Sequence, residues 1–142
     1  EVGRALVFEY DIAKDKKIPY AIGLRNPVGL GWDKAGRLWT VVNERDMLGS
    51  DLVPDYLALV EFGADYGWPW VWWRHNFDER VTAFQPAGFN PDYVRIPEYA
   101  LGPHVAALGL AFTGSGSTVS DSKTPPTPKA TKQKPVARIR YQ

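Results

Sequence analysis

Hydrophobic and polar residues alternate along several short stretches of this chain, and nowhere do they recur with the period of a long helix. Arg4 to Tyr10 is β-branched, aromatic and roughly alternating, which predicts a strand. Asp11 to Lys17 is polar and predicts a turn. Val28 to Trp32 and Arg37 to Val42 predict two more strands. Between them Asp33-Lys34-Ala35-Gly36 forms a tight hairpin, with Gly36 free to adopt a positive φ. Asn43 to Asp55 has neither period and predicts a long loop, a place where function concentrates. Tyr56 to Glu61 is a short strand candidate. Residues 74–100, punctuated by Pro86, Pro91 and Pro97, predict an irregular connection with at most one short strand. His104 to Phe112 predicts the last strand of the ordered part.

Short strands separated by turns indicate an all-β chain, a sandwich or a propeller. Val28, Leu30 and Trp32 alternate with Gly29 and Gly31, and glycine-rich strands suit the crowded inner strands of a propeller. The loose echo between NPVGLGWD and VAALGLAF points the same way. After Phe112 the texture changes. Residues 113–135 are mostly Thr, Ser, Pro, Lys and Gly, too little apolar surface to offset the entropy of ordering, so disorder is expected there. Residues 136–142 contain VARIRY, a candidate terminal strand. The expected organisation is therefore a body over 1–112, a low-complexity segment over 113–135 and a final strand.

Composition narrows the chemistry. Cysteine is absent, which excludes disulfides, thiolate metal sites and a cysteine nucleophile. The net charge of +1 conceals a basic tail (six Lys/Arg against Asp121 after residue 112) and a mildly acidic body. That tail has one aromatic, Tyr141, so no nucleic-acid partner is expected. No apolar run approaches the roughly 20 residues of a membrane helix. The chain begins at Glu1 without a signal-peptide pattern, and a processed or truncated start is expected.

Four segments occur in a specific order. They are Gly23-Leu24-Arg25-Asn26-Pro27-Val28-Gly29-Leu30, then Asn43-Glu44-Arg45-Asp46 with Gly49 and Asp51, then Tyr66-Gly67-Trp68-Pro69, and last Pro103-His104-Val105-Ala106 running to Gly109-Leu110. In these segments residues 4–112 resemble the soluble quinoprotein aldose (glucose) dehydrogenases, and more closely their sorbosone-dehydrogenase-like relatives. The resemblance implies about two to three blades of a six-bladed β-propeller of four-stranded antiparallel sheets. It implies a periplasmic or secreted oxidoreductase of carbohydrate metabolism with pyrroloquinoline quinone (PQQ) and calcium as cofactors. The substrate would be an aldose or a sorbosone-type carbonyl sugar, and the electrons would pass to a quinone, a small carrier or a dye.

The residue types suit that chemistry. PQQ is an anionic ortho-quinone, and Arg25 offers a guanidinium fork to a quinone oxygen where negative charge develops, as a transition-state stabiliser. Asn26 would donate to the neighbouring oxygen. His104 aligns where the family contacts PQQ. The implied calcium site is the loop from Glu44 to Asp51, with the backbone carbonyls of Asp46 and Met47 and the carboxylates of Glu44 and Asp51. Asp46-Met47 replaces a Gly-Pro pair of the glucose dehydrogenases, and Asp46 adds a carboxylate. Without a metal, Glu44, Asp46, Asp51 and Asp55 read as an acidic surface loop. The family's general-base histidine has no counterpart here, so no catalytic base is assigned, and the chain alone is expected to be inactive. Trp68 is expected to fill space between blades, and His75 to lie on the surface. Two alternatives stand beside the dehydrogenase: a calcium-dependent lactonase or esterase propeller using Asn43, Glu44 and Asp46, and a non-catalytic propeller binding module.

Overall fold

The architecture is that of a computed structural model, which describes residues 3–113. Eight strands follow in order: β1 (Leu6–Asp11), β2 (Lys16–Ile22), β3 (Asn26–Trp32), β4 (Leu38–Asn43), β5 (Pro54–Leu59), β6 (Val71–Trp72), β7 (Asn76–Phe77) and β8 (Tyr99–Pro103). The helical content among the described residues is two 3₁₀ turns, Thr82–Phe84 and Pro91–Tyr93. Strands β3-β4-β5-β8 form a four-stranded antiparallel sheet, β1-β2 and β6-β7 two-stranded ones. The chain is all-β, and the four-stranded sheet is the antiparallel blade of a partial β-propeller. The expected segments 113–135 and 136–142 lie, but for Thr113, outside the described residues.

Local chemistry sets the β3–β4 hairpin. Asp33 Oδ1 accepts from the backbone N–H groups of Ala35 and Arg37, both at 2.9 Å, and Gly36 closes the turn at φ +76°. The Arg37 backbone N–H, the Trp39 indole and the Arg37 guanidinium hold the Asp33 carboxyl down to about 2. The central strands β4 and β5 are apolar on both faces, as a sheet covered on two sides requires. Leu38, Val42, Tyr56 and Ala58 join Val7, Ala21, Leu24, Val60 and Tyr66 in one core that fastens β1-β2 to the blade.

Strand β2 was not expected. Its exposed start, Lys16 to Pro19, hides the pattern, but it pairs with β1 from Leu6↔Ile22 to Asp11↔Lys16. Its end positions the Arg25 motif. Ile22 N donates to Ala64 O and Ile22 O accepts from Tyr66 N, each at 2.9 Å, and Trp68 N donates to Gly23 O at 3.0 Å. A Cβ on Gly23 would stand 2.5 Å from Gly67 N, so only glycine lets the YGWP segment lie against this corner.

The predicted strand over His104 to Phe112 is not formed. The last strand lies just upstream, at Tyr99–Pro103, where it pairs with β5. Beyond it the backbone turns through positive φ at His104 (+53°) and Ala106 (+51°). Residues 107–110 instead run close along β3. A Cβ on Gly29 would stand 2.7 Å from Gly109 Cα, and Asn43 Nδ2 donates to Ala107 O at 2.5 Å.

Candidate functional site

One end of the blade gathers the loop after β4, the segment after β8 and the residue that precedes β3. Arg25, just ahead of β3, donates from Nη1 to the carbonyls of Asn43 (3.3 Å) and Glu44 (2.5 Å). Its Nη2 lies 3.8 Å from Asp46 Oδ2. His104 reaches the same carboxylate from the other side, Nδ1 to Asp46 Oδ1 at 3.3 Å, while its Nε2 sits 3.0 Å from Gly49 O. The Gly49 carbonyl first, and Asp46 after it, push the imidazole above its ordinary value of 6.5, because both favour the protonated ring. Asn26 is exposed beside Arg25. The structure thus brings Arg25, Asp46 and His104 together at a solvent-facing mouth.

The other acids of the loop behave differently. Asp55, which the metal-free alternative put on an acidic surface loop, is buried, and its two oxygens accept from two separated segments: Oδ1 from Glu44 N and Oδ2 from Ala106 N, both at 2.8 Å. Glu44 turns inward. Its Oε2 accepts from Arg45 N (3.0 Å) and Arg45 Nε (3.1 Å), and burial pushes its carboxyl up despite the adjacent guanidinium. Asp51 is exposed on the loop.

Arg45, Asp78 and Arg80 went unassigned in the sequence. Arg45, 5% exposed, donates from Nη1 to Pro69 O (2.8 Å) and Asp78 Oδ2 (3.0 Å), and from Nη2 to Val71 O (2.8 Å). It therefore binds the site loop to the segment following YGWP. Arg80 holds Asp78 Oδ2 at 2.7 Å and reaches the Asp46 carbonyl at 3.1 Å. Arg80 and then Arg45 hold the Asp78 carboxyl far below the usual carboxylate range. The available signal was Arg45 itself, a charge inside the quoted Asn43-Glu44-Arg45-Asp46 motif that nothing local explained.

The family model for glucose/sorbosone dehydrogenase matches residues 8–123. The chain belongs to the glucose/sorbosone dehydrogenase family. The matched span includes every residue of the mouth, and it makes the propeller a sugar-dehydrogenase-type domain. Neither the curated proteins nor the solved structures yielded a match.

The cofactors of such dehydrogenases can be tested against these side chains. For an anionic quinone the residue types fit: a guanidinium and an imidazole poised toward its charged form share one mouth. For calcium the donor set does not fit as it stands. Among the described residues no three His, Cys, Asp or Glu gather as a metal group. Arg80 Nη1 addresses the Asp46 carbonyl at 3.1 Å and that of Met47 at 3.5 Å, so a cation there would meet a guanidinium. The residues a metal-dependent lactonase would share also diverge: Asn43 to the Ala107 carbonyl, Glu44 to Arg45, Asp46 to Arg25 and His104. Among the described residues no helix is long and apolar enough to cross a membrane.

Proposed function

We propose that this chain carries the cofactor-facing mouth of a quinoprotein sugar dehydrogenase, with PQQ seated against Arg25, Asn26 and His104. The observation behind this reading is the convergence of Arg25 and His104 on one exposed carboxylate, at 3.8 and 3.3 Å. When bound, PQQ supplies the two-electron acceptor for oxidation of an aldose or sorbosone-type sugar. The protein's part is binding and orientation. Arg25 is pre-aimed by the Asn43 and Glu44 carbonyls, so little side-chain entropy remains to be lost when its free edge meets an anion. In that position it stabilises negative charge developing on a quinone oxygen. Asn26 donates beside it, and His104 faces a carboxylate of the ligand in place of Asp46.

No residue here is assigned the role of proton acceptor, and the chain by itself is expected to turn over no sugar. A periplasmic or secreted setting, and electron delivery to a quinone, a small carrier or a dye, accompany this reading. Calcium on the Asp46 and Met47 carbonyls is a separate proposal, which requires Arg80 to release them.

Binding is the test. PQQ titrated into the 142-residue chain should quench tryptophan fluorescence saturably and raise the melting temperature by linkage. Arg25→Ala should weaken binding by about tenfold or more, the loss of a charge-assisted bond of about 1.5–3 kcal/mol. Calcium added with PQQ should sharpen the response only if Arg80 yields. Unsaturable quenching, or an Arg25→Ala chain that binds as the parent does, refutes the reading.

A further inference from the structure

The geometry points to Asp55 as a positioning residue for the anion-binding mouth. Resting on the cofactor reading above, this inference assigns a role to a carboxylate whose partners are the Glu44 and Ala106 amides rather than Arg25 or His104. Asp55 is 3% exposed at the start of β5, and it accepts one backbone N–H from each side of the mouth. Glu44 N comes from the loop whose carbonyl holds Arg25, at 2.8 Å to Oδ1. Ala106 N comes from the segment carrying His104, also at 2.8 Å, to Oδ2.

The two segments are far apart in sequence, and Ala106 holds a strained φ of +51° that an alanine leaves unless something retains it. A carboxylate clasp between two amides fixes the distance between their chains to within a hydrogen bond's tolerance. The Arg25 guanidinium hangs from one side of the clasp and the His104 imidazole from the other. Asp55 therefore sets the spacing of the guanidinium and the imidazole, which decides whether one planar anion can touch both.

An asparagine is the informative replacement. It keeps the shape and one acceptor oxygen, but turns an NH₂ toward one of the two N–H groups. One side of the clasp then opens while the core stays filled. Asp55→Asn should weaken PQQ binding by about tenfold or more, measured by fluorescence titration of the full chain. Val94→Ala, a buried contact of Gly67 outside the clasp, should lower the melting temperature while leaving the PQQ dissociation constant unchanged. That contrast separates positioning from general loosening.

If Asp55→Asn does not fold, hydrogen exchange on the parent chain decides. Binding coupled through the clasp must slow exchange of the Glu44 and Ala106 amides, because coupling is reciprocal. The inference is overturned if PQQ binds and both amides exchange as before, or if Asp55→Asn binds PQQ like the parent. If Arg25→Ala and Asp55→Asn both leave PQQ binding intact, the ligand sits elsewhere and the cofactor reading falls too. If the parent chain binds no PQQ, both fall together.

Discussion

Arg45→Met isolates the polar framework beneath the mouth. The replacement is similar in volume and apolar, so it removes a guanidinium without leaving a large void. In the parent, that guanidinium serves two carboxylates, Glu44 at 3.1 Å and Asp78 at 3.0 Å, in a region where all three residues are 3–5% exposed. It also donates to the carbonyls of Pro69 and Val71, each at 2.8 Å. Breaking one member of a buried ion pair typically costs about 3–5 kcal/mol, since the remaining charge stays desolvated. Loss of the bonds to the Pro69 and Val71 carbonyls acts in the same direction, although these terms are not additive. Asp78 keeps Arg80 and is spared. Among the described residues no second guanidinium is bonded to the Glu44 carboxylate, so its burial dominates the loss. The expected total at neutral pH is about 3–5 kcal/mol, a large share of the roughly 5–15 kcal/mol that stabilises a typical domain.

Urea denaturation followed by tryptophan fluorescence measures this directly. The pH dependence carries a further signature. Glu44 is already pushed up by burial, and losing Arg45 pushes it higher. A group with a raised folded pKa favours the fold below its unfolded value and loses that contribution as pH rises through the folded one. The Arg45→Met deficit should therefore shrink as pH is lowered toward the ordinary carboxylate value of 4.5, and Glu44→Gln in the same background should recover part of it, with a coupling of about 0.5–3 kcal/mol. A loss under about 1 kcal/mol at pH 7 with no coupling to Glu44 refutes the claim that this network holds the loop.

Three further outcomes are expected. Asp78, held far below its usual 3.8, contributes stability above that value that disappears as pH falls through its folded pKa; the parent should lose stability below about pH 4, and Asp78→Asn should remove part of that slope in urea titrations. Gly67→Ala places a Cβ 2.1 Å from Val71 Cγ2 at φ +90°, so the melting temperature should drop, with a cost of about 2–4 kcal/mol from strain and overpacking together. By NMR, the His104 imidazole should titrate above 6.5, and Asp46→Asn should lower its midpoint without abolishing the Gly49 contribution. Since the folded value is raised, His104 favours the fold below 6.5 and that contribution fades as pH climbs through the raised midpoint.

Where sequence and structure agree, the cause is local. β1 and β3 follow from alternation within a few residues, β4 and β5 from short apolar runs, and the turn between β3 and β4 from the bonds Asp33 makes to its own neighbours. Where they part, a distant partner decides. β2 opens with four exposed residues and exists because β1 and the Ala64–Trp68 segment pair with it. Residues 104–112 alternate as a strand would, but tertiary bonds override propensity: Gly49 O anchors His104, and Asp55 Oδ2 anchors Ala106. The mouth shows the same division. Arg25 and His104 stood out through the motifs around them. The burial of Asp55 and Glu44 did not, because their partners include Ala106, 51 residues on from Asp55, and an arginine whose own partners include Asp78, 33 residues further along.

That division of the acids has an electrostatic consequence. The loop directs Glu44 and Asp55 inward, where they bind Arg45 and two backbone amides, and leaves Asp46 outward. Asp46 is thus the counter-charge that Arg25 and His104 share, with a side chain 67% exposed and an Arg25 contact of 3.8 Å. An ion pair that open is worth about 0–1 kcal/mol and is weakened by salt. An incoming anion with two or more charged oxygens gains a charge-assisted bond to Arg25 and a hydrogen bond to the His104 imidazole, and displaces little in exchange. Had Glu44 faced the mouth, a second carboxylate would have opposed every anion that approached. The buried Arg45 keeps it away, so the framework that holds the loop in place also clears the field in front of Arg25.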